Sequence, residues 1–504
     1  MRRFVAAALV APFLVLPVAS SAEAACARVA SDFNGDGLGD LAVAAPNANE
    51  PIDQVNWQGV VHVAYGSTAG MGKGTTPSFT FTGRTNGLPD GQFRGSSRLG
   101  EAMASGFFDG DCYADLAVSA ASTSNFLILY GSSTGLTTMR STAFDRTAIQ
   151  PDGEYGSGLS YDLAAGDFNG DGFDDVAAGA PWEKNNSGAF GVLYGSAAGV
   201  TDAGAAWITQ DSPDVPGGTE NEDLFGWSLA AGDFNGDGRA ELAVGSPGEA
   251  IGSLRDAGGV IVFPGTAAGL ATAGSKWWDQ NSPDVPGGAE TFDHFGYVLT
   301  AGDTNGDRRD ELVVAAPEES IGAKAAGGMV HLFRGTTSGL AAGAAFDQDH
   351  AQIPGDAENG DYFGSALALV DMNRDGKRDL VVGVRGETAS SQQGTGAINI
   401  LYSTATGPGP AGAVYLDQNT AGVPDSNEEL DSFGWSLSRL QNAYGGDALV
   451  VGAPDEQVTL SREGAVTILP SAPQGAARPA GYFFTGANFP GGASKESNFG
   501  YGLP

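Results

Sequence analysis

Apolar residues along this chain fall in short runs separated by glycine-rich and acidic turns. The runs Leu41 to Pro46, Val176 to Pro181, Leu242 to Pro247 and Leu312 to Pro317 each end in small residues and proline, and each follows an acidic loop. A second type of run opens on glycine, is rich in β-branched residues and closes on a turn, as in Gly59 to Ser67 and Gly259 to Thr266. Ahead of the acidic loop stands Phe-Gly with Leu three residues on, at Phe225, Phe295, Phe363 and Phe433. The loop itself, Asp32-Phe33-Asn34-Gly35-Asp36-Gly37, returns at Asp167, Asp233, Asp303 and Asp371, with the last four copies roughly 70 residues apart. Two weaker copies, Gly106 to Val118 and Gln441 to Pro454, bring the units to seven.

Each unit reads as strand, acidic hairpin loop, strand, turn and strand, then a fourth aromatic segment such as Trp207 to Gln210 or Trp277 to Gln280. Four short antiparallel strands repeated radially make the blade of a propeller, so the predicted fold is all-β, a seven-bladed β-propeller of four-stranded antiparallel blades. The ends show how the ring closes. Phe499-Gly500-Tyr501-Gly502-Leu503 is a Phe-Gly element with no loop after it, whereas the Asp32 loop has no Phe-Gly before it. Pairing the N- and C-terminal segments completes one blade and leaves no bare sheet edge. An open solenoid would call for shorter units and distinct end caps.

The Phe-Gly element, the Asp-x-Asn-x-Asp-Gly-x-x-Asp loop and the Gly-Ala-Pro at 179 to 181 and 452 to 454 resemble the FG-GAP repeats of the integrin α-chain N-terminal propeller. Such repeats also occur in glycosylphosphatidylinositol-specific phospholipase D and in bacterial secreted proteins. The resemblance covers essentially the whole mature chain and implies calcium as cofactor, held in the hairpin loops, with a partner meeting the opposite propeller face.

The loops carry the matching chemistry. Side-chain oxygens at positions 1, 3, 5 and 9 and a carbonyl at position 7 suit a hard ion such as calcium, and glycine at position 6 permits the left-handed turn. The expected ligands are Asp32, Asn34, Asp36, Leu38 through its carbonyl and Asp40 in the first repeat, and Asp167, Asn169, Asp171, Phe173 and Asp175 in the third. They are Asp233, Asn235, Asp237, Arg239 and Glu241 in the fourth, and Asp303, Asn305, Asp307, Arg309 and Glu311 in the fifth, where Arg308 replaces the turn glycine. The sixth offers Asp371, Asn373, Asp375, Lys377 and Asp379. Phe107 takes position 1 in the second repeat and the seventh keeps only Asp447, so neither is expected to bind. Position 12 of the first loop is Val43, inside an apolar run, where a helical EF-hand would carry a bidentate Glu. Polar turns alone need only one or two such residues, and the repeated acids at 1, 5 and 9 exceed that.

Arg2 and Arg3, the apolar run from Phe4 and the small residues around Ala24 have the order of a secretory signal peptide over residues 1–24, which leaves 25–504 as the propeller and predicts secretion. Glu23, three residues before Cys26, argues against acylation of that cysteine. No stretch after the signal has the length of a transmembrane segment. A net charge of −35 excludes nucleic acid as partner, since a phosphate backbone would be repelled. Cys26 and Cys112 permit a disulfide or stand as two thiols.

Catalytic signatures are weak. His62, His294, His331 and His350 have no metal or nucleophile spacing, and Gly131-Ser132-Ser133-Thr134-Gly135 repeats as a turn at Gly66, Gly195 and Gly265. Every clustered acid is accounted for by the loops, so the chain is expected not to be an enzyme. The expected role is adhesion to extracellular protein or carbohydrate; the alternative is a glycan-active lyase or hydrolase built on a propeller. Trp207, Trp277, Trp278 and Trp435 either stack on sugars or wedge between blades.

Overall fold

A computed structural model describes residues 28–504, apart from 49–57, 90–92, 94–96, 151–157, 390, 474–475, 491 and 493–495. The predicted signal segment and Cys26 lie outside the described residues. Seven antiparallel sheets follow one another around a ring, six of four strands and one of three. In the fourth blade the strands are Leu229–Gly232, Glu241–Ser246, Gly259–Phe263 and Lys276–Trp278, innermost to outermost. The second and third strands are buried along nearly their whole length because neighbouring blades cover both their faces. The outer strands are half-exposed. Among the described residues no helix is long and apolar enough to cross a membrane.

The three-stranded first sheet, Leu41–Ala45, Val60–Ala64 and Phe79–Thr82, gains its inner strand from the other end of the chain. The Ala44 N–H donates to the Gly502 carbonyl and the Gly500 N–H to the Ala44 carbonyl, both at 3.0 Å. This pairing reproduces the one between Gly226, Ser228 and Gly245 inside the fourth blade, so the ring closes as expected. The apolar core is distributed rather than central: successive clusters lie between blades, and that at the closing seam unites Leu41, Val43, Val450, Val466 and Phe499.

Phe-Gly stitches blades together. Phe225, Phe295, Phe363, Phe433 and Phe499 have no exposed surface, and Gly188 bridges to Phe225 as Gly258 does to Phe295. The Gly226 backbone has φ of 86°, and a Cβ there would come within 2.2 Å of the Ala189 carbonyl. A side chain is excluded by both conformation and space.

Candidate cation loops and channel mouth

The inner strand of each blade runs from one rim of the ring to the other, where it enters the acidic loop; the second strand returns. All the loops therefore lie on one face. In the first loop, Asp32 accepts from the N–H groups of Gly35, Asp36 and Gly37 at 2.7, 3.1 and 2.7 Å, and Asn34 accepts from Asp36 at 2.9 Å. The third loop repeats this around Asp167 and Asn169.

Position 9 has a different character. Asp40 has no exposed surface and accepts from the N–H groups of Phe33 and Gly66 at 2.8 and 2.7 Å; Asp175 does the same with Phe168 and Gly195. Burial pushes Asp40 up to about 8 and Asp175, Glu241 and Asp379 to about 7. These acids fasten the loop to the blade whatever else they bind. The donor set of each loop is wholly oxygen, with three carboxylates and an amide, which fits a hard divalent ion and offers no nitrogen or sulfur to a softer one.

Loop one and loops three to six differ in their own charge balance. Asp237 is paired with Arg239, Asp307 with Arg309 and Asp375 with Lys377, so the side chain of position 7 partly neutralises position 5 in loops four, five and six. Leu38 and Phe173 give no such competition in loops one and three. Arg308 keeps the left-handed turn with φ of 70°, close to Gly238 at 89°. That conformation costs a side-chain-bearing residue about 1 kcal/mol. Arg308→Gly is therefore expected to raise the melting temperature of the chain; a lowered melt would show that Arg308 makes a compensating contact.

The two divergent loops are filled by the protein's own cations. In the second blade Asp109, Asp111 and Asp115 do converge, their oxygens within 4.8 Å of one another. Arg140 occupies that position, 2.6 Å from Asp109 and 3.8 Å from Asp111. Asp447 of the seventh blade is paired with Arg439. Cys112 in the second loop is disulfide-bonded.

At the opposite rim, the residue following Phe-Gly or its equivalent points to the central channel in every blade. Tyr161, Trp227, Tyr297, Trp435 and Tyr501 form a half-buried aromatic ring around a cavity of about 320 Å3, with Glu101 and Ser365 at the remaining two positions. Neighbouring rings touch: Tyr161 and Trp227 are 4.6 Å apart, Trp227 and Tyr297 5.1 Å, Trp435 and Tyr501 5.3 Å. Arg385 lies 5.0 Å over Trp435. Sequence reading had Trp435 but missed its companions, although four of the five directly follow Phe-Gly or, for Tyr501, the terminal copy of it. Trp207, Trp277 and Trp278 instead belong to outer strands and pack against inter-blade clusters, Trp278 edge-on to Phe333 at 5.1 Å.

Acids outside the loops also exist, contrary to expectation. Glu101 and Asp162 line the channel mouth, and burial raises both, Asp162 to about 6. His62 and His331 are buried strand residues lowered to about 4 by burial. The Ser132 hydroxyl donates to the Gly135 carbonyl at 2.7 Å, as Ser196 does to Gly199, which confirms a turn.

Comparison with known proteins places these features in a family. The FG-GAP repeat model matches residues 29–63, 160–208, 225–263, 295–333 and 363–417, within blades one and three to six. The bovine (Bos taurus) phosphatidylinositol-glycan-specific phospholipase D is 26% identical over 60% of this chain and 35% of its own length. The rat (Rattus norvegicus) protein of that name is 30% identical over 34% of this chain and 20% of its own. Integrin alpha-PS2 of Drosophila melanogaster is 30% identical over 45% of this chain and 15% of its own. The chain thus spans about a third or less of the length of these relatives. Relatives named as phospholipases, together with acids at the channel mouth, overturn the expectation that the chain is no enzyme. The chain thus carries FG-GAP repeats on a closed seven-bladed β-propeller, five of the blades matched, and is similar in sequence to integrin α chains.

Proposed function

We propose that the mature chain, residues 25–504 after removal of a signal peptide, is a secreted interaction module. Calcium in loops one and three to six, held by the residues named for each, stiffens the ring, and the opposite face receives an extracellular protein or carbohydrate. The observation that carries this reading is the aromatic ring around the channel mouth. Five aromatic side chains line a concave site at the rim away from the loops, and aromatic rings pack on sugar C–H surfaces and on cationic or apolar side chains. Acidic loops on one face and an aromatic mouth on the other separate the stabilising role from the recognising one.

A second reading is a glycan-active enzyme. Glu101 and Asp162 share the same cavity with carboxyl groups raised by burial, the environment from which a general acid is drawn. One set of experiments separates the two. The full chain and its Trp435→Ala and Trp227→Ala variants are screened on a glycan array, with turnover assays on polysaccharides and phosphatidylinositol glycans. The expected result is array binding by the full chain that both variants lose with little change in melting temperature. Binding retained in both variants would remove the channel mouth from recognition, and turnover lost in Glu101→Gln would favour the enzyme.

A further inference from the structure

The linker entering each of blades four to seven carries Glu-x-x-Asp just before Phe-Gly: Glu220 and Asp223, Glu290 and Asp293, Glu358 and Asp361, Glu428 and Asp431. In all four, the Asp carboxylate accepts from the backbone N–H of the Glu at 2.5 to 2.6 Å. The end of the same blade's second strand brings a further acid, Glu249, Glu319, Glu387 or Glu456, to this point. For blades four, five and seven the three carboxylates offer oxygens within 4.8 Å of one another. These clusters lie at the rim opposite the acidic loops, because the second strand runs away from its loop.

The Asp and the second Glu are buried in every case, Asp361 to 1% exposure and Glu456 to 1%, while the first Glu faces solvent. Among the described residues none of these acids forms an ion pair with Lys, Arg or His.

An independent observation says what is missing. Two residues past the end of the preceding blade's outer strand stands Gln210, Gln280, Gln348 or Gln418, each no more than 3% exposed. Each donates through Nε2 to the buried Glu, at 2.7, 2.7, 2.9 and 2.6 Å, so the amide head sits on the cluster. In all four the amide Oε1 has no hydrogen-bond partner, and neither has Asp361 Oδ1. A buried oxygen with no donor is costly, and a cation held by the neighbouring carboxylates would satisfy it.

The geometry points to four further divalent-cation sites, one at the entry to each of blades four to seven, built from Glu, Asp, Glu and Gln oxygens. Three carboxylates binding through both oxygens and one amide offer up to seven oxygens, within the six to eight that calcium takes, and the exposed Glu marks the route of entry. Rotation of the Gln amide turns Oε1 toward the ion. Each site joins the outer strand of one blade to the second strand of the next, so ion binding crosslinks neighbouring blades.

The test is a crystal structure of the mature chain grown in calcium chloride, with anomalous difference peaks, alongside calcium stoichiometry by equilibrium dialysis. Peaks are expected at the four clusters in addition to any at the acidic loops. Glu319→Gln should bind one ion fewer per chain; Glu290→Gln, altered at an exposed position that leaves the packing intact, should weaken or lose the same ion. Peaks at the loops with water or nothing at the clusters, or unchanged stoichiometry in folded Glu290→Gln, would overturn the inference and leave the loop reading standing. Peaks at the clusters and none at the loops would do the reverse.

Discussion

Removal of the last ten residues is expected to open the ring, giving a chain that aggregates or is rapidly degraded and melts well below the full protein. The segment is short, but it serves two blades. The Phe499 N–H donates to the Glu463 carbonyl of the seventh blade at 3.0 Å, while Gly500 and Gly502 pair with Ala44 of the first. Phe499 is wholly buried in the cluster that joins them. Loss of a buried Phe costs about 3–5 kcal/mol, a large share of the roughly 5–15 kcal/mol that holds a domain folded. Deletion adds two exposed sheet edges to that loss. What remains at the seam includes the bond from the Gly39 N–H to the Gln441 carbonyl at the opposite rim. The disulfide of Cys112 involves no residue of the deleted segment, which contains no cysteine. Size-exclusion chromatography and thermal melts check the result. A monomeric truncation with an undiminished melt would mean that the ring is held by the remaining contacts alone.

The second large effect is a dependence on pH whose sign changes with calcium. In metal-free buffer the melting temperature is expected to fall as pH rises from about 5 to about 8. Asp40 and Asp115 are pushed up to about 8 and Asp175, Glu241 and Asp379 to about 7, chiefly by burial. Their folded values exceed the ordinary carboxylate values of about 4. Between the two, the folded chain holds more protons than the unfolded one, so stability is lost as pH rises through the window. Charge repulsion in a chain of net charge −35 acts in the same direction. On the proposed loop assignment, calcium binds the ionised carboxylates and displaces these protons, so its contribution is expected to grow with pH. A loop site of extracellular affinity adds about 1.4 kcal/mol at tenfold its dissociation constant. Several such sites are expected to flatten or reverse the trend. Melts at both ends of the window, with and without calcium, decide the matter: a metal-free protein most stable at pH 8, or one that calcium does not stabilise there, would refute the assignment of these acids.

Much of the architecture is legible in the sequence because each blade repeats one local pattern. Phe225-Gly226 and its copies need a bulky residue followed by one with no side chain, and the loops need Asn, Asp and Gly at fixed offsets. Both requirements act within a few residues, so they leave a recurring trace. Even the split first blade shows, since Phe499-Gly500 has no loop and Asp32 has no Phe-Gly.

The aromatic channel mouth is harder to read for a geometric reason. Tyr161, Trp227, Tyr297, Trp435 and Tyr501 come from five different blades and meet only because the ring closes. Their sequence signal is a single aromatic after Phe-Gly in most copies, easily taken for one more core residue. Trp207 and Trp277 look equally suited to stacking until the outer strands place them against neighbouring blades.

By itself, the sequence determined the number of blades, the strand order within each, the position of the acidic loops and the way the ends meet, because these depend on short-range pattern repeated along the chain. Only the tertiary structure decided that Arg140 sits on Asp109 and Arg439 on Asp447, that Glu101 and Asp162 share the channel mouth, and that Gln280 reaches the Glu319 of the next blade. The first two pairs form within single blades, through strand pairing in the second and across one hairpin of the seventh, whereas the last two join residues of different blades that meet only because the sheets curl into a ring, where distance along the chain no longer limits which groups must be satisfied together.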